Sequence, residues 1–176
     1  MTDLDFADIR YLKNGSPVQQ AGYCVLIKSG IFKKLAPYNP ILTGTLPLDI
    51  FIDGSDLDIC CEVYNHIAFA SLLKECYGNI PDFTLKQKFL EETESTVCAF
   101  SMDNFIFEIV GQPLPVRQQQ AYRHMVIEYA VLQKRGEPFK QKIIELKKQG
   151  LKTEPAFAQL LKLTGDPYEA LLSFTD

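Results

Sequence analysis

The sequence predicts an α+β fold, with a small mixed sheet in its first two-thirds and helices in its last third. Three observations carry this. Short strand candidates fall between residues 41 and 110, with turn residues such as Gly44, Gly78-Asn79 and Pro113 between or after them. Asp103-Asn104 separates two of these candidates and has the residue types of a tight hairpin turn. Beyond Pro113 and Pro115, apolar residues recur at helical spacing. A chain of 176 residues suits one folded unit, expected as an α/β core over 1–113 with a helical region over 114–176 packed on it.

The first fifteen residues suggest a short helix closed by Asn14-Gly15. Ser16-Pro17-Val18-Gln19 reads as a helix start, with Ser at the N-cap, Pro in the first turn and Gln three residues on. Val18, Ala21, Val25, Ile31 and Leu35 give that helix an apolar stripe, with a kink expected at Ser29-Gly30. Ile41 to Thr45 is a short strand. Asp56 to Val63 is a second strand, followed by a helix from Tyr64 to Tyr77. Three more strands are expected over Phe83–Phe89, Ser95–Met102 and Phe105–Val110. Helices then run over Val116–Arg135, Glu137–Gln149, Glu154–Leu163 with Thr153 as cap, and Pro167–Phe174 with Asp166 opening a capping box.

Composition narrows the function classes. The longest apolar runs fall far short of the ~20 residues that a bilayer span needs. The acidic start, Thr2 to Asp5, lacks the positive region of a secretory signal. A cytoplasmic protein without membrane attachment is therefore expected. Net charge is −4, from 18 basic and 22 acidic side chains, which disfavours a footprint for long nucleic acid. Five cysteines without CxxC spacing, beside only two histidines, argue for buried thiols and against a zinc finger.

The informative stretch is Leu42-Thr43-Gly44-Thr45, a spacer, and Gly54-Ser55-Asp56-Leu57-Asp58-Ile59. Alternate residues of a strand share a face, so Asp56 and Asp58 project together while Leu57 and Ile59 enter the core. Carboxylates whose Cα atoms lie roughly 6.5 Å apart can converge on one divalent cation or bridge two spaced ~3.5–4 Å apart. Two acids at this spacing are by themselves a common feature of solvated strands. Three further features shift the balance. Gly44-Thr45 lies upstream at a strand end, where Gly lets backbone amides approach a phosphate and the hydroxyl adds a donor. Ser55 directly precedes the acid pair. Phe107-Glu108-Ile109 supplies a third carboxylate on a face shared with Ile106 and Val110, where it needs a cation, a partner or water.

This pattern resembles the DNA-polymerase-beta nucleotidyltransferase superfamily and, more narrowly, is similar to a bacterial family of unassigned function placed there. The likeness covers about Ile41 to Val110, with helices appended. It implies a nucleotidyltransferase-like mixed sheet in which Asp56, Asp58 and Glu108 hold Mg²⁺ (or Mn²⁺). Those ions would bridge a nucleotide triphosphate, Gly44 and Thr45 would cradle its phosphates, and Glu108 would help deprotonate an acceptor hydroxyl. The sequence departs from the pattern in two places. Thr45 stands where Ser is usual, and the spacer Leu46–Asp53 is apolar, predicting an extra extended segment.

Arg117, Gln120, His124 and Glu128 share one side of the long helix, with Gln119 and Arg123 beside them. Arg123 or His124 would reach phosphates if this helix crosses the mouth of the sheet; otherwise the face is solvated with a His124–Glu128 pair. Glu62 is expected at the surface, Cys60 in packing, and His66 at the surface or as a cap. The run Lys140, Lys142, Lys147, Lys148 and Lys152 reads as a solvated face. The expected activity is transfer of a nucleoside monophosphate from a nucleotide triphosphate to a small-molecule or protein hydroxyl. The alternatives are a weak or inactive nucleotide- or protein-binding module and hydrolysis of a phosphoester.

Overall fold

The computed structural model describes residues 5–90 and 92–175. Thr2 to Leu4 of the acidic start lie outside the described residues. Where a short helix is expected, Ile9–Asn14 form a 3-10 turn, closed by the Gly15 amide donating to Leu12 O. Helix α1 (Pro17–Ser29) starts on the predicted capping box: Ser16 Oγ accepts from Gln19 N, and Gln19 Oε1 accepts from Ser16 N. Gly30, at φ 67°, breaks the helix where the kink was expected, and α2 (Ile31–Lys34) follows. The buried stripe differs from the expected one, because Ala21 is exposed and Gly22 buried in its place. A side chain at Gly22 would collide with Leu46 Cδ2, so the absence of a Cβ sets how closely α1 approaches the spacer.

Five strands form one sheet in the order β1-β2-β5-β4-β3. They are β1 (Ile41–Thr43), β2 (Asp56–Glu62), β3 (Thr84–Leu90), β4 (Thr93–Met102) and β5 (Phe105–Gln112). The β2–β5 pair is parallel and the other three are antiparallel. The parallel pair needs a crossover, which α3 (His66–Tyr77) and the β3–β4 hairpin supply. Asp103 and Asn104 both adopt positive φ (49° and 65°), as the twist of a two-residue hairpin requires.

Alternation along β2 and β5 assigns the two faces. Leu57, Ile59, Cys61, Phe107 and Ile109 are fully buried under α1 to α3, where Tyr77, Phe100 and Phe107 stack with centroids 4.6 and 4.7 Å apart. The opposite face carries Asp56, Asp58, Cys60 and Glu108, and the C-terminal helices lie over it. These are α4 (Gln120–Arg135), α5 (Glu137–Lys148), α6 (Thr153–Leu161) and α7 (Pro167–Leu172). They share a second core with Ile41, Leu48, Ile50 and Cys60. The single long helix expected from Val116 is divided: Val116–Gln118 form a 3-10 turn, and Gln119 is extended before α4 begins. Thr153 is the first residue of α6 and not its cap, which falls at Lys152. Asp166 does cap α7, accepting from Tyr168 N and Glu169 N. No described helix is long and apolar enough to cross a membrane.

Candidate active site

Register places Asp58 directly opposite Glu108 across the parallel β2–β5 pair, and Thr43 opposite Asp58 across β1–β2. Asp56, Asp58 and Glu108 therefore project from one face. A carboxylate oxygen from each lies within 4.8 Å of the others. Burial first, then the charges of Asp56, Glu108 and Glu154, push the Asp58 carboxyl well above the ordinary carboxylate range, with Lys147 opposing. Burial and then Asp56 raise Glu108, against Lys88 and Lys152. The lysines that oppose these shifts leave both carboxyls raised, and an oxygen donor set of this kind suits a hard divalent cation.

Gly44 makes the approach of the upstream turn possible. Its φ is +72°, and a Cβ there would sit 2.0 Å from Asp58 Oδ2. Thr45 Oγ1 is buried without a hydrogen-bond partner, an orphan hydroxyl beside the acids. The spacer is not the extended segment expected. It is a series of turns, with Asp49 N donating to Leu46 O, Ile50 N to Thr45 O and Ser55 N to Ile52 O. The reason is burial: Leu46 and Ile50 are fully enclosed and Leu48 nearly so, which a strand's alternation does not provide for consecutive even positions facing different cores. Gln19 Nε2 bonds Leu46 O, and Asp49 accepts from Ser16 Oγ and Lys140 Nζ, so α1 and α5 both hold the loop. Gly44→Ala is expected to cost about 1–2 kcal/mol from the left-handed backbone alone, and to displace Asp58 as well. Denaturant unfolding checks this, and an unchanged midpoint would refute the close approach.

A cavity of about 550 Å³ opens over the acids, floored by the Gly44-Thr45 turn, Ser55 and the triad, and walled by the C-terminal helices. That size falls in the range of small-molecule sites. Ser55 Oγ accepts from Ile52 N. His124 is buried in the wall; its Nε2 faces a backbone carbonyl, Tyr168 O, at 3.0 Å, so Nε2 is the donor. Its Nδ1 lies 3.8 Å from Glu154 Oε1. His124 and Glu128 are thus not a solvated pair: both are buried, and Glu128 Oε1 has no partner. Arg123, one residue and about 100° around the helix from His124, is exposed and does not line the cavity. Arg117 is turned away as well, bonded to Tyr122 OH and Asp5.

Lys147 is the functional candidate that the charge-run reading overlooks. It is 7% exposed, lines the cavity and donates from Nζ to Ile50 O at 2.7 Å. Burial lowers its ammonium pKa to about 8 against the pull of Glu128 and Asp58. Its spacing held the signal, since it falls one helical turn from buried Ile143. Glu128 sits on the apolar stripe of α4 with Met125 and Leu132 in the same way. Glu62 lies at the surface as expected, bonded to Asn39 and Tyr64. His66 does not: it is buried, with Nδ1 2.9 Å from Thr96 Oγ1. Cys60 packs against Thr43 Oγ1, and burial pushes its thiol up to about 12, which leaves no thiolate nucleophile.

A mixed sheet bearing an acid-hydrophobic-acid strand beside a third acid, under flanking helices, is the nucleotidyltransferase α+β fold. Solved structures bear this out. The Cid1 poly(U) polymerase with Mg 3′-dATP bound aligns at TM-score 0.55 and 15% identity, over 89% of this chain and 48% of that one. The GLD-2/RNP-8 complex aligns at 0.55 and 11%, over 87% and 61%. The polymerase core of TRAMP, an RNA surveillance complex, aligns at 0.51 and 12%, over 93% and 50%. The chain spans about half the length of the structures it matches. Residues 24–174 match the domain of unknown function DUF4269, and the chain belongs to that family. No curated protein matches it.

Proposed function

We propose that the protein is a metal-dependent nucleotidyltransferase that moves a nucleoside monophosphate from a nucleotide triphosphate to an acceptor hydroxyl. The convergence of Asp56, Asp58 and Glu108 carries this reading. These three side chains would hold Mg²⁺ or Mn²⁺, which, when bound, supplies Lewis-acid stabilisation of the reacting phosphate and the leaving pyrophosphate. Gly44 and Thr45 seat the phosphates, with the orphan Thr45 hydroxyl taking a phosphate oxygen after a small rotation. Lys147 and Lys152 line the same cavity and offset the triphosphate charge. Glu108 would also take the proton of the acceptor hydroxyl. The acceptor oxygen then bonds to the α-phosphorus as the bond to the β-phosphate bridging oxygen breaks, and pyrophosphate departs. Positioning and charge neutralisation do most of the rest.

The test is thermal stabilisation by each nucleotide triphosphate with Mg²⁺ or Mn²⁺. A ligand at 100 times its Kd stabilises by about 2.7 kcal/mol, so a clear rise in melting temperature is expected. It should vanish on chelation. Failure of every triphosphate to stabilise would refute the transferase reading and leave a module that uses the fold for other contacts. Release of free monophosphate with no label on any acceptor would indicate hydrolysis instead.

A further inference from the structure

The cavity over the acids has a second lobe of about 240 Å³ on the side of Val110 and Gln112, separated from the Lys147 side by Asp58 and Glu108. Its chemistry differs from that of the first lobe. Among the described residues, neither Lys nor Arg lines it; Lys88 and Lys152 act on Glu108 only through space. Gln119, 2% exposed, spends its amide NH₂ on two backbone carbonyls, Cys61 O at 2.9 Å and Leu114 O at 3.2 Å. Both partners can only accept, so the amide orientation is fixed and its Oε1 is the acceptor. That oxygen is buried without a partner. Gln112 likewise spends its NH₂ on Ser95 Oγ. The Glu108 and Glu154 carboxylates border the same space. The lobe therefore offers hydrogen-bond acceptors and negative charge, with no built cation for a phosphate.

We propose that this lobe seats the acceptor, and that the acceptor is a small, non-phosphorylated polyol, preferentially one bearing an amine, and not a nucleic-acid end. The proposal rests on the transferase reading and names its substrate class. A polyol hydroxyl in this lobe lies against Glu108, on the opposite side of the triad from Lys147. An ammonium group pairs with Glu154, and a second hydroxyl reaches Gln119 Oε1 once the side chains that cover this buried oxygen give way. A nucleic-acid strand would bring phosphates into a space walled by Glu108 and Glu154, a like-charge juxtaposition that disfavours it.

The experiment is ligand-observed NMR on the full chain preloaded with Mg²⁺ and a non-hydrolysable nucleotide triphosphate. The probes are glucosamine, glucose, glucose 6-phosphate and a short oligouridylate. Glucosamine and glucose are expected to bind, glucosamine about ten-fold more tightly, the step that ~1.4 kcal/mol produces; the two phosphorylated probes should bind more weakly than either. Glu154→Gln should remove the preference for the amine. Gln120→Lys, at the lobe's rim on the first turn of α4, should move preference toward glucose 6-phosphate. Binding of the oligouridylate or glucose 6-phosphate as tight as that of the sugars would overturn the proposal, as would failure of both sugars to bind. The thermal-shift result with triphosphate separates the two claims: stabilisation by nucleotide with failure of the sugars removes only the acceptor class.

Discussion

Asp58→Asn is expected to reduce nucleotidyl transfer by on the order of 10²–10³-fold or more, the loss that follows removal of one preorganised electrostatic group, while raising the melting temperature of the metal-free protein. The two effects share one cause. Asp58 stands opposite Glu108 on the neighbouring strand and beside Asp56, and burial with these like charges raises its carboxyl well above the ordinary range. In the metal-free fold, then, the ionised form opposes folding. The folded state holds its proton at pH values where the unfolded chain has lost it, so stability falls as pH rises from the ordinary carboxylate pKa through the raised one. Above that window the penalty is complete. Metal-free wild type should therefore gain stability as pH falls from neutral into the window, and the asparagine variant should show a smaller gain, keeping what Glu108 and Glu128 contribute. With Mg²⁺ and nucleotide the order reverses at neutral pH, because only the wild type is stabilised. Melting temperature against pH in chelator, and again in Mg²⁺ with nucleotide, measures both. A variant that keeps wild-type transfer, or that is less stable than wild type without metal, would remove Asp58 from the proposed role.

How much of this was legible in the sequence depends on which interactions placed each residue. The acid pair was legible because alternation on a strand is local and Asp56 and Asp58 must share a face. Glu108 has apolar residues on both faces of its strand, and the parallel register that sets it opposite Asp58 places it. The capping box at Ser16 and the Asp103-Asn104 turn are equally local, and both are present. The apolar spacer reads as an extended segment, whereas Leu46 enters the core under α1 and Leu48 and Ile50 the core under the C-terminal helices. Nothing within eight residues encodes that division. His124, Glu128, Lys147 and Glu154 required tertiary information of the same kind. Each is a polar residue on a helix whose burial depends on how α4, α5 and α6 pack over the sheet. What the sequence did hold was an acid and a lysine on apolar stripes, at Glu128 and Lys147, where a solvated reading leaves their spacing unexplained.

Lys147→Met should have the largest effect on stability together with a marked loss of nucleotide affinity. The ammonium is buried, donates to Ile50 O and is the cation acting on Glu128, a carboxyl fully enclosed with one oxygen unpartnered. Losing a hydrogen bond from a charged group costs about 1.5–3 kcal/mol, and Glu128 loses its offsetting charge in the same step. Lys147→Met/Glu128→Gln should recover part of the loss, since the second change removes the stranded acid. Additive losses in the double variant would show that the two side chains do not interact. The pH dependence has a defined sign. With its pKa lowered to about 8, the folded protein sheds this proton before the unfolded chain does, so the Lys147 contribution to stability rises between pH 8 and the ordinary lysine range. Nucleotide affinity moves the other way, because the triphosphate favours the ammonium. Affinity should weaken as pH climbs through 8 in wild type and stay flat across that interval in Lys147→Met, read by titration calorimetry with Mg²⁺ and a non-hydrolysable triphosphate. An equal slope in both proteins would assign the titrating group elsewhere. Such a result would leave Lys147 as the strut that holds the spacer loop, through Ile50 O, under the phosphates.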